Sequence, residues 1–314
     1  MEARLLEYFP RVVELGSINR AAAELNLSQP SLSRWLLLLE REIGSALLIR
    51  TRQGIRTTDA GQVLVERAQP VLRQLHLLRD EIGKKATSQV TLGMPVSMQR
   101  VVTAPFAEAI LRNQPHISLR VYEGINNAIR RWMEEGLLDA GIMVLTERAP
   151  RTFSTFPLAT EQLMLVGDRK TGLRLDTPIP LSRLDATELI LPGRPNAIRA
   201  QIENAISRAG YAYRCRFEAE TVALCLELTR RGLGYTVTPA CALHDRLLQN
   251  EDLAAAPIRN LTVTWALHIN RAREHSVAVR ALTTALRNFV IATIAARKWR
   301  FAHAVKGGKR RKAV

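Results

Sequence analysis

Near the start of the chain, two short helices are joined by a three-residue turn, and this pattern constrains the fold more than any other. Leu5, Phe9 and Val12 recur at helical spacing from about Ala3 to Leu15, and Gly16 ends that helix. Ser17 is placed to cap a second helix, Ile18 to Leu25, rich in alanine where helices approach closely. The turn is Asn26-Leu27-Ser28. Asn26 suits a left-handed C-terminal cap, and Ser28 caps the next helix. Pro30 falls in that helix's first turn, where no intrahelical N–H bond is lost. Leu32, Leu36, Leu39 and Ile43 form its buried stripe. Short strands at Leu47–Arg50 and Ile55–Thr57 then flank Arg52-Gln53-Gly54, a basic hairpin or wing.

Thr58 caps a long helix, and Asp59 in its first turn complements the helix dipole. Leu64, Ala68, Val71, Leu75, Leu78 and Ile82 alternate by four and three residues, the spacing of a coiled-coil seam. A helix packed on its own domain is the plainer alternative, but it usually shows a broader apolar face. After a hinge from Gly83 to Ser88, strands and helices alternate. Val90–Met94 is read as a strand, Met98–Arg112 as a helix, Ile117–Tyr122 as a strand, Asn126–Glu135 as a helix and Ala140–Val144 as a strand. A second round reads strand Leu189–Leu191, helix Ala197–Ala209, strand Tyr213–Ala219, helix Val222–Arg231, strand Gly234–Val237. Such alternation predicts parallel sheets covered by helices, and two rounds predict two subdomains. Gln162–Val166 and Thr262–Ile269 are the expected crossing strands, and a helix from Ser276 to Ala296 closes the fold.

The expected organisation is therefore residues 1–58 as a winged helix-turn-helix and 59–88 as linker helix and hinge. An α/β unit of two subdomains follows over 89–296, and a basic disordered tail over 297–314. The tail holds eight basic and no acidic residues, a large part of the net charge of +16. A basic balance favours polyanion partners without specifying them. No stretch reads as an uncharged apolar span of ~18 residues, and the start lacks the pattern of a secretory signal. A cytoplasmic location without membrane contact is expected. Cys215, Cys225 and Cys241 form no C-x-x-C pair, and an odd count argues against a disulfide framework. The scattered histidines fall in no metal or nucleophile motif, so no metal, cofactor or catalytic residue is expected.

The segment Gly16-Ser17-Ile18-Asn19-Arg20-Ala21-Ala22, with Leu25-Asn26-Leu27-Ser28-Gln29-Pro30-Ser31-Leu32-Ser33-Arg34, resembles the LysR-type transcriptional regulators. So does the run from Arg50 to Gly61. The resemblance covers about residues 1–296. It implies a winged helix-turn-helix and a linker helix, followed by a two-subdomain effector domain akin to periplasmic binding proteins. The implied partners are double-stranded operator DNA, a small-molecule effector, further copies of the chain in dimers or tetramers, and RNA polymerase. Leu191 to Asn196 and Gly232 to Val237 are similar to the branch that includes nitrogen-assimilation-control regulators.

On this reading Ser28, Gln29, Pro30, Ser31, Ser33 and Arg34 face DNA. Hydroxyls, an amide and a guanidinium are the groups that reach base edges and phosphates. The wing adds Arg50, Arg52, Gln53 and Arg56, suited to phosphates or the minor groove. Leu64, Ala68, Val71, Leu75, Leu78 and Ile82 would join two copies. Trp35, Leu37 and Leu38 depart from the family pattern, being apolar where relatives are polar or basic. In the α/β unit, Ser97 with Met98 opens one helix, and Gly193, Arg194 and Asn196 precede another. Ser97 matches the family's effector-contacting hydroxyl, and Gly193 replaces a serine common in relatives. Two helix N-termini and an arginine aimed at one crevice would favour an anionic effector. Capping alone also explains Ser97 and Asn196. A redox response through Cys215, Cys225 and Cys241, or regulation without an effector, are the alternatives.

Overall fold

The computed structural model describes residues 3–51, 54–82, 89–146, 152–243 and 253–305. The chain divides into two compact units, residues 1–87 and, apart from 135–137, residues 88–314.

In the first unit α1 (Ala3–Leu15), α2 (Ile18–Glu24) and α3 (Gln29–Ile43) form where the capping residues dictate. Ser17 Oγ accepts the Arg20 N–H at 3.4 Å and Ser28 Oγ accepts that of Ser31 at 3.3 Å. Asn26 takes φ 55°, the left-handed cap expected of it. Leu32, Leu36 and Leu39 bury against Phe9, Val12, Ala21 and Ala22. Full burial of such a leucine contributes about 1.5–3 kcal/mol. Ile43 does not continue that stripe. It is exposed in the last turn, where Gly44 ends the helix in the left-handed conformation. Strands β1 (Leu48–Thr51) and β2 (Gly54–Thr57) pair antiparallel, with Arg50 opposite Ile55. The Ile55 N–H donates to Gly16 O at 3.1 Å. A Cβ on Gly54 would lie 2.5 Å from that same oxygen, so only glycine permits the hairpin to approach the α1–α2 turn. α4 (Asp59–Ile82) follows, its first turn capped by Thr58 Oγ1, which accepts the Gly61 N–H at 3.0 Å.

In the second unit the expected parallel pairing holds within each round, and the two crossing strands, which run antiparallel, make the larger sheet mixed. β3 (Gln89–Pro95) lies between β4 (Ser118–Gly124) and β5 (Ala140–Val144), parallel to both. β10 (Leu253–Asn270) runs antiparallel to β5 on one side and to β6 (Phe153–Asp168) on the other. The later half of β6 carries β9 (Thr236–Pro239), while β7 (Glu188–Pro192) and β8 (Arg214–Ala219) form their own parallel pair. The two crossing strands thus tie both rounds of the fold together. The helices α5 (Ala104–Asn113), α6 (Asn126–Glu134), α7 (Ala197–Arg208), α8 (Val222–Arg230) and α9 (Val277–Ala295) complete the unit.

Three expectations change. The helix expected from Met98 to Arg112 is broken: residues 96–98 form a 3₁₀ turn and 99–103 a π turn before α5 begins. Pro105 has no N–H to offer the Val101 carbonyl, which fits a break in the regular hydrogen-bond ladder at the start of α5. Second, α9 is long and apolar enough, by length and composition, to cross a membrane. Its Val279, Leu282, Leu286 and Val290 face is buried in the core of this unit instead. Third, the chain after Ala296 is not all tail. Arg297 and Phe301 take φ 57° and 61°, Trp299 is buried, and β11 (Ala302–Ala304) pairs with β6. Residues 306–314 lie outside the described residues.

Candidate DNA-reading surface and ligand cavities

The first turns of α3 present a connected polar face. Ser28 and Ser31 share a hydrogen bond of 2.7 Å, and Gln29 Nε2 donates to Ser33 Oγ at 2.8 Å. Gln29, Pro30 and Arg34 are exposed, Ser31 and Ser33 half-buried, and Arg34 has no ion pair among the described residues. Arg56 is exposed on β2, Arg50 lies on β1, and Arg52 and Gln53 lie outside the described residues. Glu40 was missed by sequence reasoning. Its Oε1 accepts the backbone N–H groups of Leu47 at 2.7 Å and Leu48 at 3.2 Å, which fixes the wing to the reading helix. An acidic residue three positions from a helix end carries no local signal of this. Trp35 stacks on Tyr8 of α1, centroids 5.2 Å apart, whereas Leu37 and Leu38 are exposed.

On α4, Leu64, Ala68 and Leu72 pack with Leu6 of α1, so the start of the expected seam is covered from within the chain. Val71 is exposed by 48%. The side chains of Leu75, Leu78 and Ile82 lie outside the described residues.

The five expected effector residues do not converge. Met98 is in the core. Ser97, half-buried, lines a cavity of about 310 Å³ with Arg100, Leu226, Arg230 and Cys241. Arg230 is paired there with Glu227 at 2.8 Å, while Arg100 is exposed and has no ion pair among the described residues. Arg194 and Asn196 line another cavity of about 370 Å³, with Asn126, Asn127 and Arg130. Asn196 Oδ1 caps α7, accepting the Ile198 and Arg199 N–H groups at 2.9 and 3.1 Å. Arg194 pairs with Glu203 at 2.7 Å. Glu203 also receives the buried Arg199 at 2.8 Å and the Tyr213 hydroxyl. Burial pushes its carboxyl up, but the hydrogen bonds from Arg194, Tyr213 and Arg199 outweigh that and hold it at about 2. The Gly193 N–H donates to Ala219 O at 3.2 Å. Across the cavity, Asn127 Nδ2 donates to Pro195 O at 2.6 Å, joining the edges of the two rounds.

Two buried clusters lie in the core of the second unit. Asp139 accepts the Thr91 N–H and hydroxyl at 2.7 and 2.9 Å and pairs with Arg273 at 3.0 Å. Glu161, fully buried, accepts the indole N–H groups of Trp265 at 2.6 Å and Trp299 at 2.8 Å, and the Cys241 N–H. Burial lifts its carboxyl to about 7 against the effect of those donors. The thiols are also shifted upward by burial, Cys225 to about 11 and Cys241 well above the usual range. A raised thiol is a poor nucleophile, which weighs against the redox alternative.

Comparison with known proteins follows the same division. Residues 3–62 match the bacterial regulatory helix-turn-helix protein, lysR family, and residues 83–290 match the LysR substrate binding domain. The nitrogen assimilation regulatory protein nac of Klebsiella aerogenes is 31% identical over 77% of this chain and 79% of its own length. The HTH-type transcriptional regulator BbuR of Bordetella bronchiseptica is 27% identical over 98% of this chain and 96% of its own. The solved structure of full-length CbnR complexed with its target DNA superposes with a TM-score of 0.69 at 24% identity, covering 92% of this chain and all of that one. The protein is of the class that couples a winged helix-turn-helix to a ligand-binding α/β unit. It belongs to the LysR family of DNA-binding transcription regulators.

Proposed function

We propose that the protein acts in the cytoplasm as an oligomer on operator DNA, and that a small anionic effector bound beside Ser97 sets its activity. No catalytic role is assigned to it. One observation carries the DNA half: Arg34 projects, exposed and without an ion pair among the described residues, from the polar face made by Gln29, Ser31 and Ser33. A guanidinium so placed is suited to bidentate contact with guanine. Arg50 and Arg56 on the hairpin would add phosphate contacts, which orient without specifying.

The effector half rests on the Ser97 cavity, where a hydroxyl and the exposed Arg100 guanidinium line the same space. Arg194 is neutralised by Glu203 and Asn196 is committed to its helix. Their role would be closure, through the Asn127 to Pro195 bridge, more than charge recognition. An effector that prefers one arrangement of the two rounds couples to DNA binding by about 1–3 kcal/mol in typical cases.

Gel-shift titration tests the first half and calorimetry the second. Arg34→Ala should cost about 1–3 kcal/mol on the natural operator and relax base preference. Equal binding by parent and variant removes Arg34 as a reader. A carboxylate that raises the melting temperature of the full chain should lose this effect in Ser97→Ala while effector-free DNA affinity stays near that of the parent.

A further inference from the structure

The second unit holds a larger cavity, of about 810 Å³, that the Ser97 reading does not use. We infer that it is a second ligand site, built for an amphiphilic carboxylate: one anionic head on an aryl or medium-length acyl body. Its floor is apolar: Met164 of β6, Leu175, Ala240, Phe289 of α9 and Trp299. Its rim carries Arg100, Arg297, Lys298 and Arg300 against one carboxylate, Glu108. Glu108 is paired with Arg112 at 2.7 Å, so the rim is cationic in effect. A cavity of this size, apolar inside with a few polar groups at its edge, has the form of small-molecule sites in general. Cations over an apolar floor select a hydrocarbon body with a single negative end. A phosphorylated sugar would bury its hydroxyls against Met164 and Phe289 without partners, which is costly.

The wall that makes this space belongs to the end of the chain. Residues 292–301, which supply most of the rim, lie beyond the stretch that matches the LysR substrate binding domain. The turn holding them is fixed by Trp299, whose indole N–H reaches the buried Glu161, and by the pairing of β11 with β6. Arg100 and Cys241 line both this cavity and the Ser97 cavity. Cys241 also donates its N–H to Glu161 Oε1, the oxygen that receives Trp299. Occupancy of the large cavity therefore acts on two residues that shape the smaller one. The inference stands whether or not Ser97 holds an effector.

The test uses the full chain and octanoate as probe, with octan-1-ol as its uncharged counterpart, followed by titration calorimetry. Ala292→Trp fills the large cavity from an exposed position of α9, and Lys298→Glu reverses one rim charge. Ala223→Trp fills only the Ser97 cavity. Octanoate should bind the parent and Ala223→Trp alike. Binding should weaken by about tenfold or more in Ala292→Trp, with the space filled, and about fivefold in Lys298→Glu. Unchanged melting curves without probe establish that the variants fold. The inference is overturned if octanoate fails to bind, if octan-1-ol binds as tightly, or if Ala223→Trp abolishes binding while Ala292→Trp preserves it.

Discussion

Glu40 reaches from the reading helix to the first residues of the wing, its Oε1 2.7 Å from the backbone nitrogen of Leu47. One carboxylate oxygen also accepts the Leu48 N–H, so a single side chain sets where β1 leaves α3. The wing's arginines depend for their placement on a residue that touches no DNA in the proposed reading.

Glu40→Ala should leave two partly buried N–H groups unpaired and cost about 1–3 kcal/mol of stability in the first unit. Operator and random DNA should both be bound more weakly, because the wing contributes phosphate contacts rather than base selection. Glu40→Gln keeps an acceptor oxygen and should recover most of both losses. Urea unfolding and gel-shift titration of the three proteins measure it. If Glu40→Ala matches the parent in both, the tie does not hold the wing.

The buried pair of Asp139 and Arg273 governs the second unit. Asp139→Asn would leave a buried guanidinium without its counter-charge and turn an amide NH₂ toward donors. The expected loss is about 3–5 kcal/mol. For a unit of this size that lowers the melting temperature by roughly 10 °C. Replacing both partners, Asp139→Asn with Arg273→Met, should restore part of the loss, since the amide oxygen can still accept from Thr91 and no charge is then left unpaired. A double variant less stable than Asp139→Asn would refute this account.

Elements set by short-range chemistry were legible before the structure. Ser17, Asn26, Ser28 and Thr58 all act as the caps their residue types suggest. What escaped depends on distant groups or on proline. Pro157 in β6 and Pro257 in β10 broke the strand pattern, so only Gln162–Val166 and Thr262–Ile269 were anticipated. In the structure both prolines sit inside long strands, Pro257 at a register shift. The charges after Ala296 masked Trp299 and β11, whose partners lie far earlier in the chain. For the ligand site, residue types were readable but their grouping was not. Ser97 and Asn196 line different cavities, and the helix expected at Ser97 is replaced there by the turns before Pro105.

The linker offers a test of assembly. Leu64 and Ala68 are covered by Leu6, but Val71 stands exposed on the continuing stripe. A charge at an exposed position costs a single chain little, whereas an unpaired carboxylate buried between two helices costs enough to separate them. Val71→Glu should therefore leave the melting of isolated protomers unchanged and shift sedimentation from dimer toward monomer. Leu75→Glu, four residues along the same sequence stripe, should likewise shift sedimentation toward monomer. Dimers that persist in both place the contact elsewhere, with the exposed Leu37 and Leu38 the next residues to change.

The last prediction concerns pH, where two buried groups in the second unit oppose one another. Glu161 is lifted from 4.5 to about 7 by burial, so the folded state holds its proton after the unfolded chain has lost it. Its contribution is fully present below about pH 4.5 and is lost as pH rises to 7, about 3 kcal/mol in all. His268 is lowered from 6.5 to about 4 by burial and by the nearby charge of Arg130. Its contribution is fully present above pH 6.5 and is lost as pH falls toward 4, by a similar amount. Between pH 4.5 and 6.5 the two nearly cancel. Glu161→Gln removes one side of the balance: relative to the parent, its unfolding free energy should climb by about 3 kcal/mol from pH 4.5 to 7. His268→Gln should show the reverse, falling relative to the parent from pH 4 to 6.5. Urea midpoints at four pH values decide it, and parallel curves for parent and variants would mean that neither group titrates in the folded protein as its burial requires.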